Sequence, residues 1–264
     1  MSKQAVEALR AERADTLEIL KSLSDDEWNA PSGCEGWTVR DVVAHMASIL
    51  HGVVDPSQMP DLGGGTEAGM EAPVATRREW SVDEVLAEFE TYSDQAATTF
   101  AMAQDPPLAD TMLPMNDLGT HPMSLLASTF CFDNYCHLRY DILQPRGSVD
   151  RPEPPRDEAR VGATVEWMLA GMPWMSQAAL HVVDRPVVLV LTGAGGGTWA
   201  IAPGGGDGRV AVTPGAAPET AATITSDAHD FVAWGTHRRP WSDCVQIEGD
   251  EPYASTVLDA IHIF

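Results

Sequence analysis

The 264-residue sequence is poor in positive charge: 16 Lys and Arg stand against 39 Asp and Glu, a formal net charge of −23. Such a field repels polyanions, which argues against nucleic acid or an anionic membrane as a partner. Acidity of this kind also marks whole proteomes, halophilic or high-GC ones among them, so by itself it names no function. Long apolar runs are missing too. A stretch such as Val187-Val188-Leu189-Val190-Leu191 falls far short of the roughly 18 to 20 residues of a membrane span. Residues 1–21 alternate charge with Leu and Ala at helical spacing and contain no signal-peptide core, so the expected location is cytoplasmic. Cysteine is scarce. Cys34, Cys131, Cys136 and Cys244 form no CxxC pair, which excludes a disulfide scaffold and fits a reducing compartment. Absent also are HExxH, GxSxG and the P-loop signature. Gly193 to Gly197 superficially suggests a phosphate loop, but Thr198 stands where the last Gly of GxGxxG should be and a β-rich run follows, as in a hairpin turn.

Apolar residues make up 44% of the chain, enough for real cores, and the length predicts two domains. The N-terminal half reads as helices. Val6, Leu9, Leu17, Leu20 and Leu23 recur among charges over residues 3–22. Thr38 is a plausible N-cap for a run containing Val39, Val42, Val43, Met46, Ile49, Leu50 and Val53. Residues 55–73, rich in Gly, Pro and Met, are expected to form a long loop. Ser81 and Glu84 form a capping box for a third helix over about 81–103, and Pro122 opens a fourth over about 122–143. The texture changes at the Pro-rich segment 144–158. Beyond it come one helix (about 157–181), short strands at 186–192, 197–202, 208–213 and 220–225 between Gly-rich turns, a helix through Trp234, a strand at 244–248 and a last helix at 250–261. This predicts an all-α domain followed by an α+β domain, divided at residues 152–153.

Chemistry concentrates on the fourth helix. At about 100° per residue, Leu126, Thr129, Phe130, Asp133, Cys136, His137 and Tyr140 share one stripe. Asp133 and His137 are therefore i, i+4 neighbours in the middle of a face that should point inward. A buried carboxylate is costly unless it is paired or binds a metal. Asp141 continues the row, where it can hold the ring N–H of His137. On the second helix, His45 lies at the edge of the apolar stripe. Together these residues supply two imidazoles and a carboxylate with a fourth position open, the arrangement of a catalytic zinc. An Asp–His pair at this spacing is equally a simple hydrogen-bonded pair, and a histidine at a stripe edge is more often a core residue. Spacing does not show that the two helices touch. Cys34, just before the second helix, is a candidate thiolate ligand, but a packing role is the commoner one.

Two blocks of the sequence are familiar: Leu23-Ser24-Asp25-Asp26-Glu27-Trp28, and Gly36-Trp37-Thr38-Val39-Arg40-Asp41-Val42-Val43-Ala44-His45. With Asp133-Asn134-Tyr135-Cys136-His137 followed by Asp141-Ile142, they resemble the mycothiol-dependent maleylpyruvate isomerase family. Thr223-Ile224-Thr225-Ser226-Asp227 and Glu248-Gly249-Asp250, each leading into a helix, are similar to the sterol-carrier-like domain of that family. The resemblance implies a DinB-like four-helix bundle over 1–152 and a sterol-carrier-like α+β domain with a mostly antiparallel sheet over 153–264. It implies a divalent metal, zinc first, on His45, Asp133 and His137, and mycothiol, the thiol of actinobacteria, as cosubstrate. The family more often has Glu where this chain has Asp133. The expected reaction is addition of an activated thiolate to a small electrophile, as a cis–trans isomerase. An S-transferase at the same site is the alternative, and a small-ligand carrier the second. Asp141 and Arg139 are the candidate catalytic groups; Arg77 and Arg78 are candidates for holding the carboxylate of a bound molecule. The expected assembly is a monomer or small homo-oligomer.

Overall fold

The computed structural model describes residues 2–59, 61, 65–204 and 207–263. The chain divides into two compact units, one comprising Met1–Asn116 with Thr120–Pro155, the other Asp117–Gly119 with Arg156–Phe264. No helix among the described residues is long and apolar enough to cross a membrane.

The first unit is helical: α1 (Ser2–Lys21), α2 (Asp25–Trp28), α3 (Val39–Val54), α4 (Thr66–Gly69), α5 (Glu71–Arg77), α6 (Val82–Met102) and α7 (Leu126–Cys136). Local chemistry sets the helix starts. The Thr38 hydroxyl accepts from the Asp41 amide while the Asp41 carboxylate accepts from the Thr38 amide, and Ser81 with Glu84 repeats the pattern for α6. Such reciprocal boxes satisfy two of the donors that every helix start leaves open. Tertiary burial then selects the faces. The helix α3 packs on α6, and α1 on α7 and α6. Val42, Val43, Met46, Phe89, Phe100, Leu9 and Leu20 form the core between them.

Two regions depart from the sequence expectation. The loop expected at 55–73 contains α4 and the start of α5, with Pro60 and residues 62–64 outside the described residues. The fourth helix is a composite: a 3₁₀ turn at Met123–Leu125, then α7, then a π-helix at His137–Ile142. A wheel drawn at a constant 100° cannot anticipate that change, because a π-turn holds an extra residue; such turns occur often at functional sites. A two-stranded antiparallel ribbon, β1 (Met112–Pro114) and β2 (Thr120–Pro122), precedes this helix and carries no clear sequence signal.

The second unit is α+β: α8 (Glu158–Met175), β3 (Val187–Thr192), β4 (Gly197–Ala202), β5 (Ala211–Pro214), β6 (Ala222–Asp227), α9 (Ala228–Gly235), β7 (Val245–Gly249) and α10 (Glu251–Ala260). The sheet order is β5-β4-β3-β6-β7, antiparallel at every pairing except β3 with β6. The central strand β3 is the continuous apolar run of the sequence and is buried on both faces over most of its length. The glycine run at 193–197 is the hairpin between β3 and β4. Gly195 sits at φ +70 with its Cα against α8, where a Cβ would lie 2.3 Å from the Gly162 nitrogen, so no larger residue fits. The second glycine turn, 204–208, joins β4 to β5, with residues 205–206 outside the described set.

Candidate metal centre

The two helices meet at the predicted residues. His45 on α3 is buried, and its Nε2 lies 3.6 Å from Asp133 Oδ1 on α7. His137 Nε2 stands at the same 3.6 Å from the same oxygen. The two imidazoles meet edge to face with centroids 4.8 Å apart. A separation of 3.6 Å is too long for a good hydrogen bond. It suits ligands sharing one ion, since metal–ligand bonds of about 2.0–2.1 Å in a tetrahedron place neighbouring donor atoms about 3.3–3.4 Å apart. One donor atom from each of the three residues lies within 4.8 Å of the others. His45 Nδ1 is buried without a hydrogen-bond partner among the described residues. This donor set fits zinc: two imidazoles, one carboxylate and room for a fourth ligand. Asp133, one methylene shorter than the Glu of the resembling family, still brings its oxygen within reach of both rings.

Asp133 and His137 are mostly, but not completely, buried. Almost all of α7 and of the π-turn after it is buried, and Asp133, His137 and Tyr140 are the less buried positions. Leu126, Thr129, Phe130 and Cys136 of the same stripe are buried, so the stripe faces inward as expected and only Asp133, His137 and Tyr140 along it keep partial access. At the π-turn, His137 Nδ1 pairs with Asp141 Oδ2 at 2.9 Å, and Arg146 pairs with the other oxygen of this fully buried carboxylate. Asp141 therefore orients His137, as imidazole ligands of metals generally require. Burial opposes protonation of His137. The hydrogen bonds His137 makes with Asp141 and Cys34 and the negative charges of Asp133 and Asp141 outweigh it and push the pKa up to about 10. In His45 burial prevails over Asp133 and lowers the pKa, which favours the neutral, coordinating form.

The three arginines fall elsewhere. Arg139 is buried in an ion pair with Glu12 of α1, lies over the Tyr135 ring at 3.7 Å and also pairs with Glu153. It is committed to holding α7 on α1, not to receiving a ligand. The signal for this was legible, since Glu12 interrupts the apolar stripe of α1 three residues after Leu9, where a carboxylate needs a partner. Arg77 is likewise occupied, gripping Glu88 with Nε and Nη2 at 2.6 and 2.7 Å while His51 Nδ1 shares that carboxylate at 2.7 Å. Arg78 remains partly exposed and pairs with Glu71 at 2.7 Å and Asp41 at 3.3 Å. Glu71 also accepts from Trp37 Nε1, and the Trp37 ring lies 5.5 Å from His45. Sequence reading overlooked Trp37 because an indole outside a periodic stripe gives no positional signal.

Residues 9–129 match the family model described as the mycothiol maleylpyruvate isomerase N-terminal domain. The matched stretch contains His45 and ends before Asp133. A solved structure of the mycothiol-dependent maleylpyruvate isomerase is similar in fold, with a TM-score of 0.57, 12% identity, and 94% of this chain and 93% of that chain covered. A mutant form gives a TM-score of 0.56 and 14% identity over the same shares. Comparison with curated proteins gives no match. Over residues 9–129 the chain is therefore similar to the N-terminal domain of the mycothiol maleylpyruvate isomerase family.

Proposed function

We propose that this chain is a metal-dependent, mycothiol-dependent enzyme that adds a thiolate to a small electrophile and expels it again, a cis–trans isomerase of the maleylpyruvate isomerase kind. The observation that carries this reading is the single carboxylate oxygen of Asp133, 3.6 Å from both imidazoles, in a unit that matches the family model. A cation held by His45, Asp133 and His137 would supply a thiolate at neutral pH by lowering the pKa of a bound thiol.

The residues around that position divide the remaining work. Asp141 holds the Nδ1–H of His137, so that Nε2 presents its lone pair toward Asp133 and His45. Arg146 pairs with the other oxygen of Asp141 and holds that carboxylate in place. Trp37 walls the His45 side and excludes water from that flank. Arg78, tied to Trp37 through Glu71, is the guanidinium left to meet a substrate carboxylate at the rim. On the substrate, addition of the thiolate to the conjugated carbon turns the double bond into a single one. The bond rotates, and loss of the thiol restores a double bond in the trans form, with no net consumption of thiol.

The test is incubation of the enzyme with mycothiol and maleylpyruvate. Fumarylpyruvate formed at constant thiol concentration supports the isomerase, while a stable thiol adduct would replace it by an S-transferase. Elemental analysis of protein purified without chelator or nickel resin, beside His45→Ala, tests the centre directly. A wild type without stoichiometric metal would remove the mechanism.

A further inference from the structure

Beside the first donor group stands a second that shares a residue with it. Cys34 Sγ, a ring nitrogen of His137 and a carboxylate oxygen of Asp141 lie within 4.8 Å of one another. The other cysteines are placed differently, with Cys131 and Cys136 buried on α7 and Cys244 in the second unit. Cys34 is half-buried, and its backbone is firmly tied. The Trp37 amide donates to the Cys34 carbonyl at 3.1 Å, closing a turn whose third residue, Gly36, sits at φ +79, a position that favours glycine. Ser32 Oγ accepts from the Cys34 amide at 3.1 Å and donates to the Trp37 carbonyl at 2.9 Å. The Gly33 amide donates to the Asp141 carbonyl at 2.7 Å. A Cβ at Gly33 would stand 2.7 Å from the Tyr140 carbonyl oxygen, so the loop backbone lies directly against the π-helix. The same turn thus sets the sulfur of Cys34 beside His137 and carries Trp37, whose ring flanks His45.

We propose that Cys34 is a fourth, sulfur ligand of this centre, and that it holds the position a thiol substrate takes on arrival. The inference rests on the metal-dependent reading above. Zinc accepts imidazole, carboxylate and thiolate donors together, with the sulfur at about 2.3 Å. Cysteine turns about one side-chain bond, which carries its sulfur about 3 Å between staggered rotamers. That rotation moves the sulfur beside His137, the residue the two donor groups share, without displacing the tied backbone. Exchange is balanced in protons and electrons: the incoming thiol releases the proton that the departing Cys34 sulfur takes up, and nothing is oxidised. Sulfur for sulfur, the substrate thiol replaces a donor of its own kind. Before it arrives, the position is closed to water and to other small ligands.

Cobalt(II) loaded into the full chain in place of zinc, with no thiol added, tests this. The expected spectrum shows the visible bands of tetrahedral cobalt together with a near-ultraviolet sulfur-to-cobalt charge-transfer band. Cys34→Ser should keep the visible bands and lose the charge-transfer band. Visible bands without charge transfer in the wild type, or a charge-transfer band that survives in Cys34→Ser, would overturn the role of Cys34 and leave the metal reading standing. Failure to bind cobalt at all would overturn both. X-ray absorption of the zinc-loaded wild type needs no variant: a sulfur neighbour at about 2.3 Å is expected, and a shell of nitrogen and oxygen alone would refute the proposal.

Discussion

The two units bury polar groups in different ways. In the helical unit, ionisable side chains lie deep between helices: Glu12 with Arg139, Glu88 with Arg77, and Asp141 with His137 and Arg146. In the α+β unit the buried polar groups are mostly neutral and satisfied singly, as when Trp234 Nε1 donates to Ser226 Oγ at 3.1 Å or Thr236 Oγ1 donates to the Val232 carbonyl at 2.7 Å. A buried charge is kept at a cost unless its partners are well placed. Where such groups gather within one small unit, they indicate a region organised around a charged or coordinating task. The α+β unit is organised around its apolar central strand.

The sharpest way to break this contrast is Arg139→Met. It leaves Glu12 buried without its main cation and should cost about 3–5 kcal/mol of stability, read by chemical denaturation. The double variant with Glu12→Gln should recover most of that loss. A cost below about 1 kcal/mol for the single change would mean the pair is solvated and the contrast only apparent.

pH offers a second test, on the metal-free protein. The pKa of His137 is raised from 6.5 to about 10 in the folded state. Its contribution to stability is therefore fully present below the unfolded value and is lost as pH rises through the folded one. Thermal melting of metal-free protein should fall between about pH 6.5 and 10, and zinc, which replaces that proton, should abolish the trend. The same fall in His137→Gln would assign it to another group.

Asp141→Asn removes the charge that orients His137 and should weaken zinc binding about 10- to 100-fold, measured by competition with a chromophoric chelator. Unchanged affinity would show that His137 needs no orienting partner. Asn134 is the exception that sharpens the comparison: it is fully buried on α7, and neither amide atom has a hydrogen-bond partner among the described residues. Asn134→Leu, similar in volume, should raise stability by about 1 kcal/mol or more; a loss would reveal a polar contact that the amide makes. In the α+β unit, Trp234→Phe leaves only one neutral hydrogen bond unmade and should cost about 1 kcal/mol by that route, with metal content untouched.

Much of this was legible along the chain. The caps at Thr38 and Ser81, the glycine hairpin at 193–197 and the Asp133–His137 pair depend on neighbours a few residues away, and local backbone geometry translates such spacing directly into position. Other features were illegible because they join distant residues. That α3 lies against the π-turn that follows α7, so that His45 comes within 3.6 Å of Asp133, is a result of packing. So is the pairing of Arg139 with Glu12, 127 positions away, which removes from ligand binding a side chain that its sequence neighbourhood had suggested for it. The π-turn at His137 and the approach of Cys34 belong to the same class. Spacing within one element determined which residue types stand together; only the closing of separate elements onto one another decided which of them share a centre, because the free energy that selects those contacts comes from burial summed over the whole unit.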